Sequence, residues 1–217
     1  MKSKVLGLLT VGLLVGPVGA NAATIEIVAA DSGWYRATDH NSTNESYAVG
    51  GFGGAETFRN FFVFNLTGIS GNIVGARLSL SNPSAPSGVV YEMYDVTTPI
   101  ASLTSSQFGA TAALIYTDLG SGVFFGSGTV AANSLNTFAL NSSGISAIQA
   151  NVGQVWAIGG KNGGNAALNA FFNTGVPGLV RSLFLDIQPS APVPEPGTLA
   201  LLGLGLAGLG LSRRRKA

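Results

Sequence analysis

Phe58-Arg59-Asn60-Phe61-Phe62-Val63-Phe64-Asn65-Leu66 is the stretch that decides the fold class. Successive side chains of an extended chain point to opposite faces. Phe58, Asn60, Phe62 and Phe64 therefore share one face, and Arg59, Phe61, Val63 and Asn65 the other. Phe61, Phe62 and Phe64 read as core. Working outward, Val74 to Leu80 sets Val74, Ala76, Leu78 and Leu80 on one face against Arg77 and Ser79, and Thr24 to Val28 alternates as well. Similar runs recur at Val89–Val96, Val123–Val130, Leu135–Leu140, Gln154–Gly159, Leu168–Phe172 and Leu179–Ile187, separated by Gly, Asn, Ser and Pro. Trp156, between Val155 and Ile158, belongs to the core. This spacing predicts an all-β fold, a jelly-roll-like antiparallel β-sandwich. One short helix is expected over 142–151, where Ile145 and Ile148 lie three apart and Ser142 or Ser143 supplies an N-cap.

The composition narrows the chemistry. Of 217 residues, none is Cys and one, His40, is His, which excludes thiolate and multi-histidine metal sites and disulfides. Gly reaches 31 and charged residues only 10%, a composition unlike that of a cytosolic enzyme. The net charge of +1 hides an uneven distribution. Six of the eleven cations sit at the ends (Lys2, Lys4, Arg213, Arg214, Arg215, Lys216), leaving five cations against nine carboxylates over residues 23–192, a net −4. A body of that sign does not bind nucleic acid.

Both ends read as addresses. Lys2 and Lys4, the apolar run Val5 to Val18 and Ala20-Asn21-Ala22 form a secretory signal over 1–22, cleaved between Ala22 and Ala23. The body follows over 23–190. Residues 191–217 start with the Pro-rich linker Pro192-Val193-Pro194-Glu195-Pro196-Gly197, continue with an uncharged Leu/Gly/Ala segment from Thr198 to Leu211, and end on the basic cluster Arg213-Arg214-Arg215-Lys216. As a helix that segment spans about 21 Å, short of the ~30 Å hydrocarbon core, so it suits a transient transmembrane stop. The cations stay cytoplasmic and leave the body exported.

Val193, Pro194, Glu195 and Pro196, the apolar segment and Arg213, Arg214 and Arg215 together resemble the PEP-CTERM sorting signal. The resemblance implies processing by an exosortase at the inner membrane of a Gram-negative bacterium that makes exopolysaccharide. Residues 193–196 would be recognised as substrate, and the arginines would set topology. A second resemblance lies in the body. Arg59 to Leu66 followed by Ile73-Val74-Gly75-Ala76-Arg77-Leu78-Ser79-Leu80, with Leu140 to Ala150 leading into Val155-Trp156-Ala157-Ile158-Gly159-Gly160, is similar to DNRLRE-type sandwiches, jelly rolls akin to carbohydrate-binding modules. That family's naming motif is absent here.

Site candidates in the body are few. Asp31, Asp39 and Glu45, with Asn41 and Asn44, supply hard oxygen donors for a Ca²⁺, but lack the ordered spacing of an EF-hand loop; the stretch reads as a solvated loop with His40 on the surface. Trp34 and Tyr35 are the aromatics expected to be exposed for stacking on a sugar, ahead of Tyr91, Tyr94, Phe171 and Phe172. Glu56, Glu92, Asp95 and Asp186 lie on or near strands, and no spacing selects a catalytic pair. No Gly-x-Ser-x-Gly elbow occurs. Four Asn-x-Ser/Thr triplets start at Asn41, Asn44, Asn65 and Asn141. The expectation is a non-catalytic cell-surface or exopolysaccharide-matrix protein acting by adhesion or carbohydrate binding. A self-associating matrix subunit and a secreted polysaccharide hydrolase or lyase are the alternatives.

Overall fold

The computed structural model describes residues 22–44, 46–51, 57–83, 88–165, 167–171, 178–188 and 203. Among the described residues thirteen strands and three helices follow one another. They are β1 (Ala23–Val28), β2 (Asp31–Tyr35), β3 (Asp39–His40), β4 (Val49–Gly51), β5 (Thr57–Asn65), β6 (Asn72–Asn82), β7 (Val89–Asp95), α1 (Ile100–Leu103), β8 (Gln107–Phe108), α2 (Gly109–Asp118), β9 (Phe124–Val130), β10 (Ser134–Ala139), α3 (Ser142–Ala150), β11 (Val155–Asn162), β12 (Asn169–Ala170) and β13 (Arg181–Gln188). One sheet has the order β1-β13-β6-β10; the second, of seven strands, runs β12-β4-β5-β11-β7-β9 with β2 also paired to β5. Every pairing is antiparallel.

Eight strands have six or more residues. Renumbered in chain order, they lie as 1-8-3-6 and 2-7-4-5. That is the double Greek key of a jelly roll.

Between the sheets lies the main core, where Phe62 and Phe64 of β5, Tyr91 and Met93 of β7 and Ile158 of β11 meet Leu78 and Leu80 of β6 and Leu183 and Leu185 of β13. Burying each such side chain contributes roughly 1.5–3 kcal/mol. Val74, expected inward, is 47% exposed, and Ile73 takes the inward position. The cause is a register shift: Gly75 faces Asp186 and Ile73 faces Ile187, so Val74 has no partner on β13. A bulge of this kind flips the side chains beyond it.

The second sheet is covered on its outer side too. Phe61 and Val63 of β5, Ala157 of β11 and Tyr35 pack against Leu103 of α1 and Ala112, Ile115 and Leu119 in and just after α2. β5 is thus buried on both faces. Helix α3 forms where expected, but its N-cap is Asn141, whose side chain accepts from Gly144 N at 3.0 Å. Helices α1 and α2 join it. Asp118 closes α2 at the end where a carboxylate opposes the helix dipole. Its compensation is hydrogen bonds at 2.7–3.0 Å from the hydroxyls and backbone N–H groups of Thr97 and Thr98. Burial pushes its pKa up, yet these donors hold it below the usual value.

The Asn-x-Ser/Thr triplets have structural roles. Asn41, Asn44 and Asn65 each accept at 3.0 Å from the backbone N–H two residues on, closing Asx turns, and Asn141 is the α3 cap.

Candidate functional site

Along β5 the outward side chains begin with Thr57 and Arg59 before Phe61 and Val63 turn apolar. Helix α2 covers the apolar part, and beyond its C-terminal end a cleft of about 500 Å³ remains open on the sheet. Its floor is Arg59 of β5, Lys161 of β11 and Glu92 and Tyr94 of β7, and its wall is Tyr116 of α2. Strand register brings these together, because Lys161 lies directly opposite Glu92 and Gly160 opposite Asn60.

Lys161 Nζ sits 3.5 Å from Glu92 Oε2 and 4.7 Å from the centre of the Tyr94 ring. The Tyr94 hydroxyl donates to Glu92 Oε2 at 2.8 Å. Burial, then the neighbouring Glu92, raises the Tyr94 pKa, so the phenol stays a proton-bearing donor. Across the cleft the Arg59 guanidinium lies 4.2 Å from the Tyr116 ring centre. Its Nη1 donates to Tyr116 O at 2.7 Å and Thr117 O at 3.1 Å, capping the negative end of α2. Thr57 and Tyr116 share a hydroxyl–hydroxyl hydrogen bond. Two glycines make the crowding possible. A Cβ on Gly120 would lie 2.8 Å from the Lys161 stem and 2.9 Å from the Arg59 guanidinium, and one on Gly163 would overlap the Glu92 carboxylate.

The cleft thus presents two cations, one carboxylate, two phenol rings and several hydroxyls. Glu92 is the one carboxylate among the described lining residues. Asp95 accepts from Val123 N at 2.6 Å, and Asp186 is held by Arg77 and Thr24 on the opposite sheet. Glu56 lies outside the described residues.

The other sequence candidates are placed differently. Residues 31–44, expected as a solvated loop, carry β2 and β3 and bury several side chains. Tyr35 is fully buried, stacked 4.3 Å from the His40 ring and donating to Leu103 O at 2.9 Å. Trp34 is 7% exposed, with Phe58 at its edge (5.1 Å) and the Arg36 guanidinium over its face (5.6 Å). Pairing of β2 with β5 sets the two rings on opposite faces of the sheet: Tyr35 is enclosed under the helices, and Trp34 lines a separate cavity of about 230 Å³ with Arg36, Asn44, Ser46, Ala48 and Phe58.

His40 is 2% exposed. Its Nδ1 donates to Trp34 O at 2.6 Å, which leaves Nε2 buried without a hydrogen bond. Burial holds its pKa below the ordinary value, outweighing that bond and the nearby Asp31 and Asp39.

Asp31 accepts from Ser32 N at 2.7 Å, and Asp39 is gripped by Arg36 at 2.7 and 2.8 Å, which lowers its pKa. Glu45 lies outside the described residues. Among the described residues no three His, Asp or Glu side chains gather where they could hold a metal ion. Ala23 opens β1, so the expected Ala22–Ala23 cleavage falls at the first strand. Residues 193–196 and 213–215 lie outside the described residues. Among the described residues no helix is long and apolar enough to cross a membrane.

Fold and cleft together define an antiparallel jelly-roll sandwich with a polar cleft on the outer side of one sheet. The tail gives the rest: residues 192–216 match the PEP-CTERM protein-sorting motif. The chain is accordingly an exported, exosortase-targeted protein with a C-terminal sorting signal, and exosortase is its processing partner. No curated protein matches the chain.

Proposed function

We propose that this is a cell-surface or exopolysaccharide-matrix protein that binds carbohydrate without catalysing its turnover. The observation that carries this reading is the cleft beside α2, where phenol rings, hydroxyls and charged donors line an open sheet face. Fixed guanidinium, ammonium and hydroxyl donors suit a sugar's hydroxyls, and the Tyr94 and Tyr116 rings, each with a cation over one face, flank them. The apolar segment 198–211 holds the chain in the inner membrane until exosortase, recognising 193–196, processes it, and the body then passes to the surface or matrix.

Expression in an exosortase-bearing Gram-negative host tests the reading. Wild type should fractionate with exopolysaccharide. Deletion of 193–196 should leave it membrane-bound with an unprocessed mass, and Tyr94→Ala should keep sorting but weaken retention on polysaccharide. Wild type that stays in the membrane, or Tyr94→Ala retained as firmly as wild type, overturns it.

A second reading, a self-associating matrix subunit, draws on the edges of the first sheet. β1 and β10 are its outer strands, and Val28 and Leu135 are 67% and 57% exposed there. On this reading sedimentation shows assembly growing with concentration, and a monomer at all concentrations removes it.

A further inference from the structure

Charge is distributed against the grain of the molecule. Over residues 23–192 carboxylates outnumber cations nine to five, yet two of those five cations, Arg59 and Lys161, face the same cleft. Glu92 alone opposes them among the described lining residues. Other cations are spent on protein partners: Arg36 pairs with Asp39 and Arg77 with Asp186. Arg59 has no carboxylate partner among the described residues, and its hydrogen bonds there come from Nη1 alone, to Tyr116 O and Thr117 O. The guanidinium is fixed by stacking on Tyr116, and the lysine is fixed by Glu92 and the Tyr94 ring. A cation held in place beforehand loses little freedom when an anion arrives.

We infer that the cleft selects an acidic saccharide, with a sugar carboxylate or sulfate received between Arg59 and Lys161 and the ring lying toward Tyr94 and Tyr116. This rests on the carbohydrate-binding reading and narrows it to one ligand class. The negative body repels a polyanion, and the cleft, where two of its five cations gather, supplies the local attraction. Binding therefore weakens with salt, since exposed charges are screened over a Debye length of about 10 Å at 0.1 M.

The test uses the exported protein purified from an exosortase-bearing host, with polygalacturonate and uncharged dextran immobilised separately. The inference expects binding to polygalacturonate, about tenfold or more above dextran, that falls as salt rises. Arg59→Gln and Lys161→Gln should each lose about tenfold, the usual weight of one charge-assisted hydrogen bond, while Lys161→Arg retains most of it. Arg59 also caps α2, so thermal unfolding of each variant is recorded, and Lys161→Gln decides if Arg59→Gln is unstable. Equal binding to both polymers overturns the acidic class and leaves carbohydrate binding standing. Polygalacturonate binding that neither glutamine variant changes overturns the site. Binding to neither polymer overturns the carbohydrate reading, and the inference with it.

Discussion

The two faces of the seven-stranded sheet are built from the same strands and serve different ends. Inward, β5, β7 and β11 give Phe62, Phe64, Tyr91, Met93 and Ile158, and the opposite sheet closes over them. Outward, the same strands give Phe61, Val63 and Ala157 under α2, then Arg59, Glu92, Tyr94 and Lys161 in the open. Asn60 breaks the inward pattern most deeply. Asn60 is fully buried, donating from Nδ2 to Tyr47 O at 2.9 Å and accepting from the Tyr91 hydroxyl at 3.0 Å. It is tolerated because both of its polar ends are satisfied. Gly160 stands opposite Asn60 because a Cβ there would overlap Asn60 Oδ1 and the Tyr91 hydroxyl. The lesson is a division of labour: the inward face is closed throughout by the opposite sheet, and the outward face is covered by helices over part of its length and left as a polar cleft over the rest.

Substitutions rank the two faces. Phe62→Ala, in the middle of the inward core, should cost about 3–5 kcal/mol in denaturant unfolding. Ile115→Ala, the corresponding loss under α2, should cost about 2–3 kcal/mol, because the helical layer is thin and collapses more easily. A cost for Ile115→Ala equal to that of Phe62→Ala would erase the distinction. Asn60→Ala should cost about 2 kcal/mol by leaving the Tyr91 hydroxyl and Tyr47 carbonyl unpaired.

The smallest effect comes from His40, at the margin of the outer layer against Tyr35 and Phe61. Its folded pKa lies below the ordinary 6.5, so the unfolded chain takes up the proton first. Stability should decline as pH falls below about 6.5, whereas above it the ring is neutral in both states and adds no slope. In His40→Gln, which keeps a donor for Trp34 O, that slope should flatten. An unchanged slope would assign it to the carboxylates.

Much of the sandwich is legible in the sequence because period-two alternation is strong where one face meets a core. Val89 to Val96 shows it, and Phe58 to Leu66, buried on both faces, is marked instead by its dense run of Phe and Val. The bulge at Val74 was hidden, since Val74 and Ile73 are equally apolar and only the partner strand decides which turns in. Helix α2 was hidden because Leu114, 73% exposed, blurs the spacing of Ala112, Ile115 and Leu119. Strand β2 was hidden for a related reason: Ser32 to Tyr35 are all buried, so no alternation of polarity marks them.

The cleft was out of reach, since Arg59 and Lys161 are far apart in the chain and meet only through strand order. A faint signal existed. Arg59 shares a face with Phe61 and Val63, and a cation on an otherwise apolar strand face asks for a partner. The sorting motif over 192–216 was readable because its recognition depends on order along the chain and not on folding.

Hydrogen exchange with and without bound acidic polysaccharide is the most direct measurement of the outward face as a ligand surface. Amides at 57–59, 92–94, 116–117 and 161–163 should gain protection, while β1, β13 and β10 exchange as before. Protection centred on the outer side of the first sheet, or none at the cleft while polymer is bound, would contradict it.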